Sequence, residues 1–184
     1  HMLPLEPDER YTLADELANL TRWSAELTER MPDRASEFER SRAALVARAA
    51  SLPPAESGPA HRDFYYSQLL YAGRHTTLID FDMLALADPA LDVGNFRAHL
   101  LFLGLQYGME RREVDDAQLV LLEQYLRMTG RDDTFRERVD FYEAATLFRL
   151  MQVVMRKPEY ARHFEALFAL TRAPMEQLEW SEAG

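Results

Sequence analysis

Residues His61 to Asp92 read HRDFYYSQLLYAGRHTTLIDFDMLALADPALD, and the order of polar and apolar groups in this stretch decides how the chain is read. Asp63 closes a His61-Arg62-Asp63 triplet, the amide of Gln68 follows five residues later, and Thr76-Thr77-Leu78-Ile79 delivers Asp80-Phe81-Asp82. Leu69-Leu70-Tyr71 and Thr76 to Ile79 flank Ala72 to His75, the pattern of a small hairpin with Gly73 in its turn. The stretch closes on Asp88-Pro89-Ala90-Leu91-Asp92. A carboxylate on a loop is placed to accept a hydroxyl proton, and one at a strand end is a hard oxygen ligand for Mg²⁺.

Helical periods surround this segment. Upstream, Thr12 is placed to cap a helix whose Leu13, Leu17, Leu20, Trp23, Leu27 and Met31 recur at spacings of three and four, and Pro32 marks its end. A second helix is expected over residues 34–50, with Phe38 and Leu45 on one side, and residues 52–60 read as a linker. Downstream, Val93, Phe96, Leu100, Leu103 and Tyr107 form one stripe. Leu119, Leu122, Tyr125 and Leu126 form another, stopped by Gly130. Phe135 to Met155 suggests a long helix, Phe164, Leu167 and Phe168 a further one, and Pro174 a short last one around Leu178 and Trp180. The expected class is therefore mainly α with a small β-hairpin.

Composition narrows the function. At 184 residues with 47% hydrophobic and 28% charged side chains, the chain is long enough for a core of its own and reads as one unit over residues 3–184, with His1-Met2 a cloning remnant. The leading helices occupy residues 3–51, the candidate site residues 61–92 and a helical part residues 93–184. A formal charge of −10 opposes contact with a phosphate backbone, so nucleic acid is not expected as a partner. No apolar run approaches the roughly 18 residues of a membrane span, and cysteine is absent, which fits a cytoplasmic protein. Four of the histidines, His61, His75, His99 and His163, show no metal-ligand spacing.

The segment 61–96 resembles the catalytic segment of the aminoglycoside phosphotransferase and choline kinase-like family. His-Gly-Asp with a following asparagine, Ile-Asp-Phe, and Asp-Pro-x-x-Asp-Leu-Ala in that family stand here as His61-Arg62-Asp63, Gln68, Ile79-Asp80-Phe81, and Asp88-Pro89-Ala90-Leu91-Asp92-Val93-Gly94. The resemblance implies the helical C-terminal lobe of a protein kinase-like fold and transfer of the γ-phosphoryl group of ATP to the hydroxyl of a small molecule. It implies Asp63 as catalytic base, Asp80 as principal Mg²⁺ ligand with Gln68 beside it, and Asp92 as structural partner of the catalytic loop with His61 and Arg62. Asp82 is placed to add charge near the metal. The acidic chain favours an amine-bearing acceptor.

Two features separate this chain from that pattern. Gln68 replaces the asparagine, and its extra methylene displaces the amide by an amount, about 1 Å, that can cost on the order of 100-fold in rate if the loop does not compensate. The glycines are scattered and form no phosphate-covering loop, and the single lysine, Lys157, precedes Pro158 at an expected helix end. The family's N-terminal β lobe is therefore expected to be absent from this chain, which by itself would turn over little, bind Mg²⁺ and ATP weakly or not at all, and expose an apolar face that a dimer could cover. Other readings stay open: a non-catalytic pseudokinase or binding lobe, a haloacid dehalogenase-like phosphatase with Asp80 as nucleophile and Asp82 as acid, and an Asp-x-Asp glycosyltransferase. Asp92 taken alone is equally an N-cap for a helix starting at Val93.

Overall fold

Thr12 opens the first helix as its sequence suggests. In the computed structural model, which describes residues 7–172, α1 runs over Leu13–Arg30. Thr12 and Asp15 exchange backbone and side-chain hydrogen bonds, with Thr12 N–H donating to Asp15 Oδ2 at 2.8 Å and Asp15 N–H to Thr12 Oγ1 at 3.4 Å. This satisfies backbone donors that a helix start otherwise leaves open. A single 3-10 turn at Pro32–Arg34 then reverses the chain into α2, Ala35–Ala50. The two helices lie side by side, burying Leu20, Trp23 and Leu27 of one and Phe38, Leu45 and Ala49 of the other.

Four short strands follow. β1, Gly58–Ala60, pairs antiparallel with β4, Ala85–Ala87, and β2, Leu69–Ala72, pairs antiparallel with β3, His75–Leu78. The expected hairpin is therefore present, with Ala72 opposite His75 and Gly73 at φ 61 in the first position of the two-residue turn. A positive φ there gives the turn a twist that matches the strands it joins. The linker expected over residues 52–60 ends instead in a strand, because Gly58, Pro59 and Ala60 find backbone partners at Ala87, Leu86 and Ala85. Residues just before α1 extend the same small sheet, with Leu86 N–H donating to Glu9 O at 2.8 Å and Tyr11 N–H to Leu86 O at 2.9 Å. No parallel sheet surrounds Thr76 to Ile79 among the described residues, so the framework that a dehalogenase-like or nucleotide-sugar site requires is missing.

Four helices follow among the described residues: α3, Ala90–Tyr107; α4, Arg111–Thr129; α5, Asp133–Arg156; and α6, described over residues 164–172, after a 3-10 segment at Pro158–His163. Lys157 is the C-cap of α5. The fold is thus mainly helical with two small antiparallel pairs of strands. No helix among the described residues is long and apolar enough to cross a membrane. The expected helix around Leu178 and Trp180 lies outside the described residues.

The core lies where α3 and α5 cross, with α1, α2 and α6 closing it. Phe38, Leu20, Leu27, Phe135, Phe141, Phe148, Met151 and Leu167 are among its fully buried side chains, each contributing about 1.5–3 kcal/mol by leaving water. Two stripes differ from expectation. Tyr107 is 77% exposed and Leu119 55% exposed, because α3 turns its Leu91, Val93, Ala98, Leu101 and Phe102 inward and α4 touches the core mainly through Val114, Leu122 and Leu126.

Gly94 sets the separation of the two central helices. A Cβ at that position would lie 2.7 Å from Tyr142 Cβ, Val139 O and Glu143 N, so α3 and α5 meet backbone to backbone there. Gly94→Ala is expected to destabilise the fold by about 1–3 kcal/mol. Urea denaturation measures it; an unchanged midpoint would mean that the helices are free to move apart.

Candidate functional site

Asp92 does not cap α3. The helix starts two residues earlier, at Ala90, and Asp92 lies in its first turn, 2% exposed, with both oxygens turned toward the loop that carries Asp63. His61 N–H donates to Asp92 Oδ2 and Arg62 N–H to Asp92 Oδ1, each at 2.7 Å. Burial pushes the Asp92 carboxyl up, and the two N–H donors pull against that shift. Pinned this way, Arg62 adopts φ 69, a left-handed conformation rare for a residue with a side chain. Strain of this kind persists only where the surroundings impose it.

His61 carries the same constraint to the hairpin. Its Nε2 lies 2.8 Å from the carbonyl of Ile79, the residue before Asp80. Ile79 N–H in turn donates to Gln68 O at 3.0 Å, so the strand that delivers Asp80 is tied to the loop at both backbone groups. Asp80 has φ 65, the second left-handed non-glycine residue among those described.

Gln68 joins the two candidate carboxylates directly. It is 5% exposed, and its amide donates to Asp63 Oδ2 at 3.3 Å and to Asp80 Oδ2 at 3.1 Å. Asp63 and Asp80, 17 positions apart in sequence, therefore flank one NH₂ group. Asp82 stands apart: it is exposed and has no hydrogen-bond or ion-pair partner among the described residues. Asp88 is structural, since it accepts from Ala90 N–H at 2.9 Å and pairs with buried Arg138 at 3.0 Å.

Several side chains in the site carry no motif. Asn95 donates to Phe64 O at 2.8 Å, steadying the loop just past Asp63, and accepts from Arg149 Nη2 at 2.8 Å and Thr146 Oγ1 at 3.5 Å. The same Arg149 nitrogen is 3.7 Å from Asp63 Oδ1 and 3.4 Å from His99 Nε2. His99 stacks on Tyr65 with ring centres 4.3 Å apart. Arg62 lies over the ring of Tyr11 at 3.9 Å, and the Tyr11 hydroxyl donates to the buried carboxylate of Glu16. Thr146, Arg149, Gln152 and Arg156 recur at helical spacing on α5, as do Glu16, Asn19 and Arg22 on α1, and these polar stripes were the sequence signal for them. They line a cleft of about 410 Å³ with Asp63 in its wall.

A model of the phosphotransferase enzyme family matches residues 1–141, about three quarters of the chain and all of the loop, the hairpin and α3. The chain belongs to the phosphotransferase enzyme family. No curated protein matches it closely enough to count as a relative. The matched stretch contains Asp63, Asp80 and Asp92, whereas Arg149 and Arg156, which complete the cleft from α5, lie beyond it.

His99 offers a direct check of this geometry. Burial, reinforced by the positive Arg149, lowers its pKa from 6.5 to about 3. A histidine that is neutral in the fold and protonates freely when unfolded adds stability that is complete above about pH 6.5 and is lost as pH falls toward 3. The ring of His99 is expected to stay neutral in NMR titration down to about pH 4. His99→Gln is expected to flatten the acid limb of the stability curve, which approaches at most about 1.4 kcal/mol per pH unit for one such group.

Proposed function

We propose that this protein transfers the γ-phosphoryl group of ATP to a hydroxyl of a small molecule, with the fold acting as the helical lobe of a protein kinase-like enzyme. The observation that carries the reading is the Gln68 amide between Asp63 and Asp80. It brings two carboxylates together, with Asp63 in the wall of a cleft of about 410 Å³, which supports reading them as a proton acceptor beside a metal ligand. The family match supports phosphotransfer as the class of reaction.

The residues fit a Mg²⁺ ion. One NH₂ group offsets the charge of two carboxylates, a position whose electrostatics a cation satisfies as well. Half a turn of the Gln68 amide about its last bond would present its oxygen in place of the nitrogen. Asp80 and Gln68 would then be the protein ligands, in keeping with a hard ion that takes one or two protein oxygens and fills its shell with water and phosphate. Among the described residues no three carboxylate or imidazole groups converge. Held by Asp80 and Gln68, Mg²⁺ would supply positive charge against the negative charge that develops as the phosphoryl group moves.

The chain's own part is positioning and proton transfer. Asp63 accepts the proton of the acceptor hydroxyl, the new bond forms between that oxygen and the γ-phosphorus, and the bond to the bridging oxygen breaks to leave ADP. Asp92 and His61 hold the loop so that the Asp63 carboxylate faces the cleft, and Asn95 holds Arg149 beside it. Lys157 lies over Tyr160 at the far end of α5 and does not line the cleft, so it does not take the phosphate-pairing role of a strand lysine.

ADP release with a library of hydroxylated small molecules tests the reading. Asp63→Asn is expected to lower the rate by about 10²- to 10⁴-fold while leaving the melting temperature within a few degrees. Asp80→Asn should abolish the dependence on Mg²⁺ concentration together with the activity. An active Asp63→Asn variant would remove Asp63 as the base, and turnover without any divalent cation would remove the metal from the mechanism. With no lysine in the cleft, turnover of the chain alone is expected to stay below the roughly 1–100 per second of kinases.

A further inference from the structure

The cleft beside Asp63 has the opposite charge to the chain that contains it. The chain carries −10, which is the basis for expecting an amine-bearing acceptor. Acceptor recognition depends on the local lining, and here Arg22, Arg62, Arg149 and Arg156 face Glu16 and Asp63. Arg156 is neutralised from outside the cleft by Glu26, at 2.5 Å, and Arg149 is shared with Asp63.

That leaves Arg22 and Arg62. Arg22 donates to the neutral Asn19 side chain at 2.9 Å, and Arg62 to the carbonyl of Met83 at 3.3 Å while lying over Tyr11. Neither has a carboxylate within ion-pair distance among the described residues. The Nε atoms of Arg62 and Arg149 are buried with no hydrogen-bond partner. Two carboxylates act on Arg62 from beyond ion-pair distance, the exposed Asp15 and the buried Glu16, whose carboxyl burial pushes up and which already accepts from Tyr11. A cationic acceptor would enter against two guanidinium groups with no carboxylate at ion-pair distance, whereas an oxyanion would give them the charged acceptor that their fork of N–H donors matches.

We propose that the acceptor of this enzyme is a small hydroxylated anion, bearing a carboxylate or phosphate that Arg22 and Arg62 hold while its hydroxyl meets Asp63. The inference rests on the phosphotransfer reading for the role of Asp63, but the anion site stands on the arginines alone. Arg62 couples the two, because it directly precedes the base and shares its loop. Anion recognition by Arg62 would thus also fix how far the hydroxyl lies from Asp63. Tyr65 and Trp23 supply the apolar wall on which the carbon skeleton rests.

Calorimetric titration without ATP separates the possibilities. The probes are D-glycerate and glycerol 3-phosphate as anions, glycerol as the neutral counterpart, and choline and ethanolamine as cations. One or both anions are expected to bind at least about tenfold tighter than glycerol and the cations, and to weaken as salt rises from about 50 to about 500 mM. The preference between the two anions identifies carboxylate or phosphate as the group recognised.

Arg22→Gln and Arg62→Gln are each expected to lose about tenfold or more in anion affinity, and Arg22→Lys to retain part of it. Circular dichroism verifies that the variants fold, and Arg22, on the outer side of α1, gives a readout independent of the catalytic loop. The proposal is overturned by equal or tighter binding of the cations, by no anion affinity at about 10 mM, or by an Arg22→Gln variant that binds as the parent does. Anion binding with no ADP formed would sink the phosphotransfer reading alone. Phosphorylation of an amino alcohol in preference to the anions would sink this inference alone.

Discussion

One buried carboxylate holds the site together. Asp92 projects from the first turn of α3 and accepts two backbone N–H groups from the loop at 2.7 Å each, so the position of the loop is inherited from the position of the helix. A carboxylate out of water is tolerated only when its oxygens are satisfied, and here the loop backbone satisfies them. The helix is fixed in turn by Gly94, two residues on, where α3 touches α5 without a side chain between them. Packing of two helices is thereby transmitted through a single side chain to the residue before Asp63. The left-handed backbone of Arg62 is the local consequence.

From that anchor the remaining polar groups are reached by short steps. His61 spans from the loop to the carbonyl before Asp80, and Gln68 spans from Asp63 to Asp80. The long glutamine side chain reaches both carboxylates from a short 3-10 turn at Tyr66–Gln68 that stands ahead of β2. Asn95, Thr146 and Arg149 form a second polar line through the α3–α5 contact, and each member has a partner. Hydrogen bonds of this kind hold side chains in one arrangement beside the cleft. The acidic chain and the arginine-lined cleft coexist because Arg22 of α1, Arg62 of the loop, and Arg149 and Arg156 of α5 are brought to one wall by packing, Arg62 lying over the Tyr11 ring.

The legible parts of this fold are those with local rules. Thr12 and Asp15 make a cap within four residues, Gly73 makes a turn within two, and α5 shows its buried side through Phe135, Val139, Tyr142, Phe148 and Met151. The pairing of β1 with β4 obeys no such rule. Three-residue strands have no period to detect, and their partners are chosen by where the intervening loop and hairpin return the chain. Tyr107 on α3 and Leu119 on α4 were legible as helix but not as surface, since periodicity alone does not say which side of a helix meets the core.

The sequence by itself determined the chemistry available to this protein: Asp63, Gln68, Asp80 and Asp92 in an order that only a loop, a hairpin and a helix start can accommodate, within a helical chain. Tertiary structure decided which of them meet and what faces them. Asp82, indistinguishable from Asp80 by residue type, is left at the surface, because the turn after β3 directs only Asp80 back toward Gln68. Arg22 and Arg149, 127 positions apart and unmarked by any motif, share the wall of one cleft. The reason is physical: spacing along a chain controls contacts within a turn or two of helix or strand, whereas the charge of a cleft is the sum over side chains that only helix packing brings together.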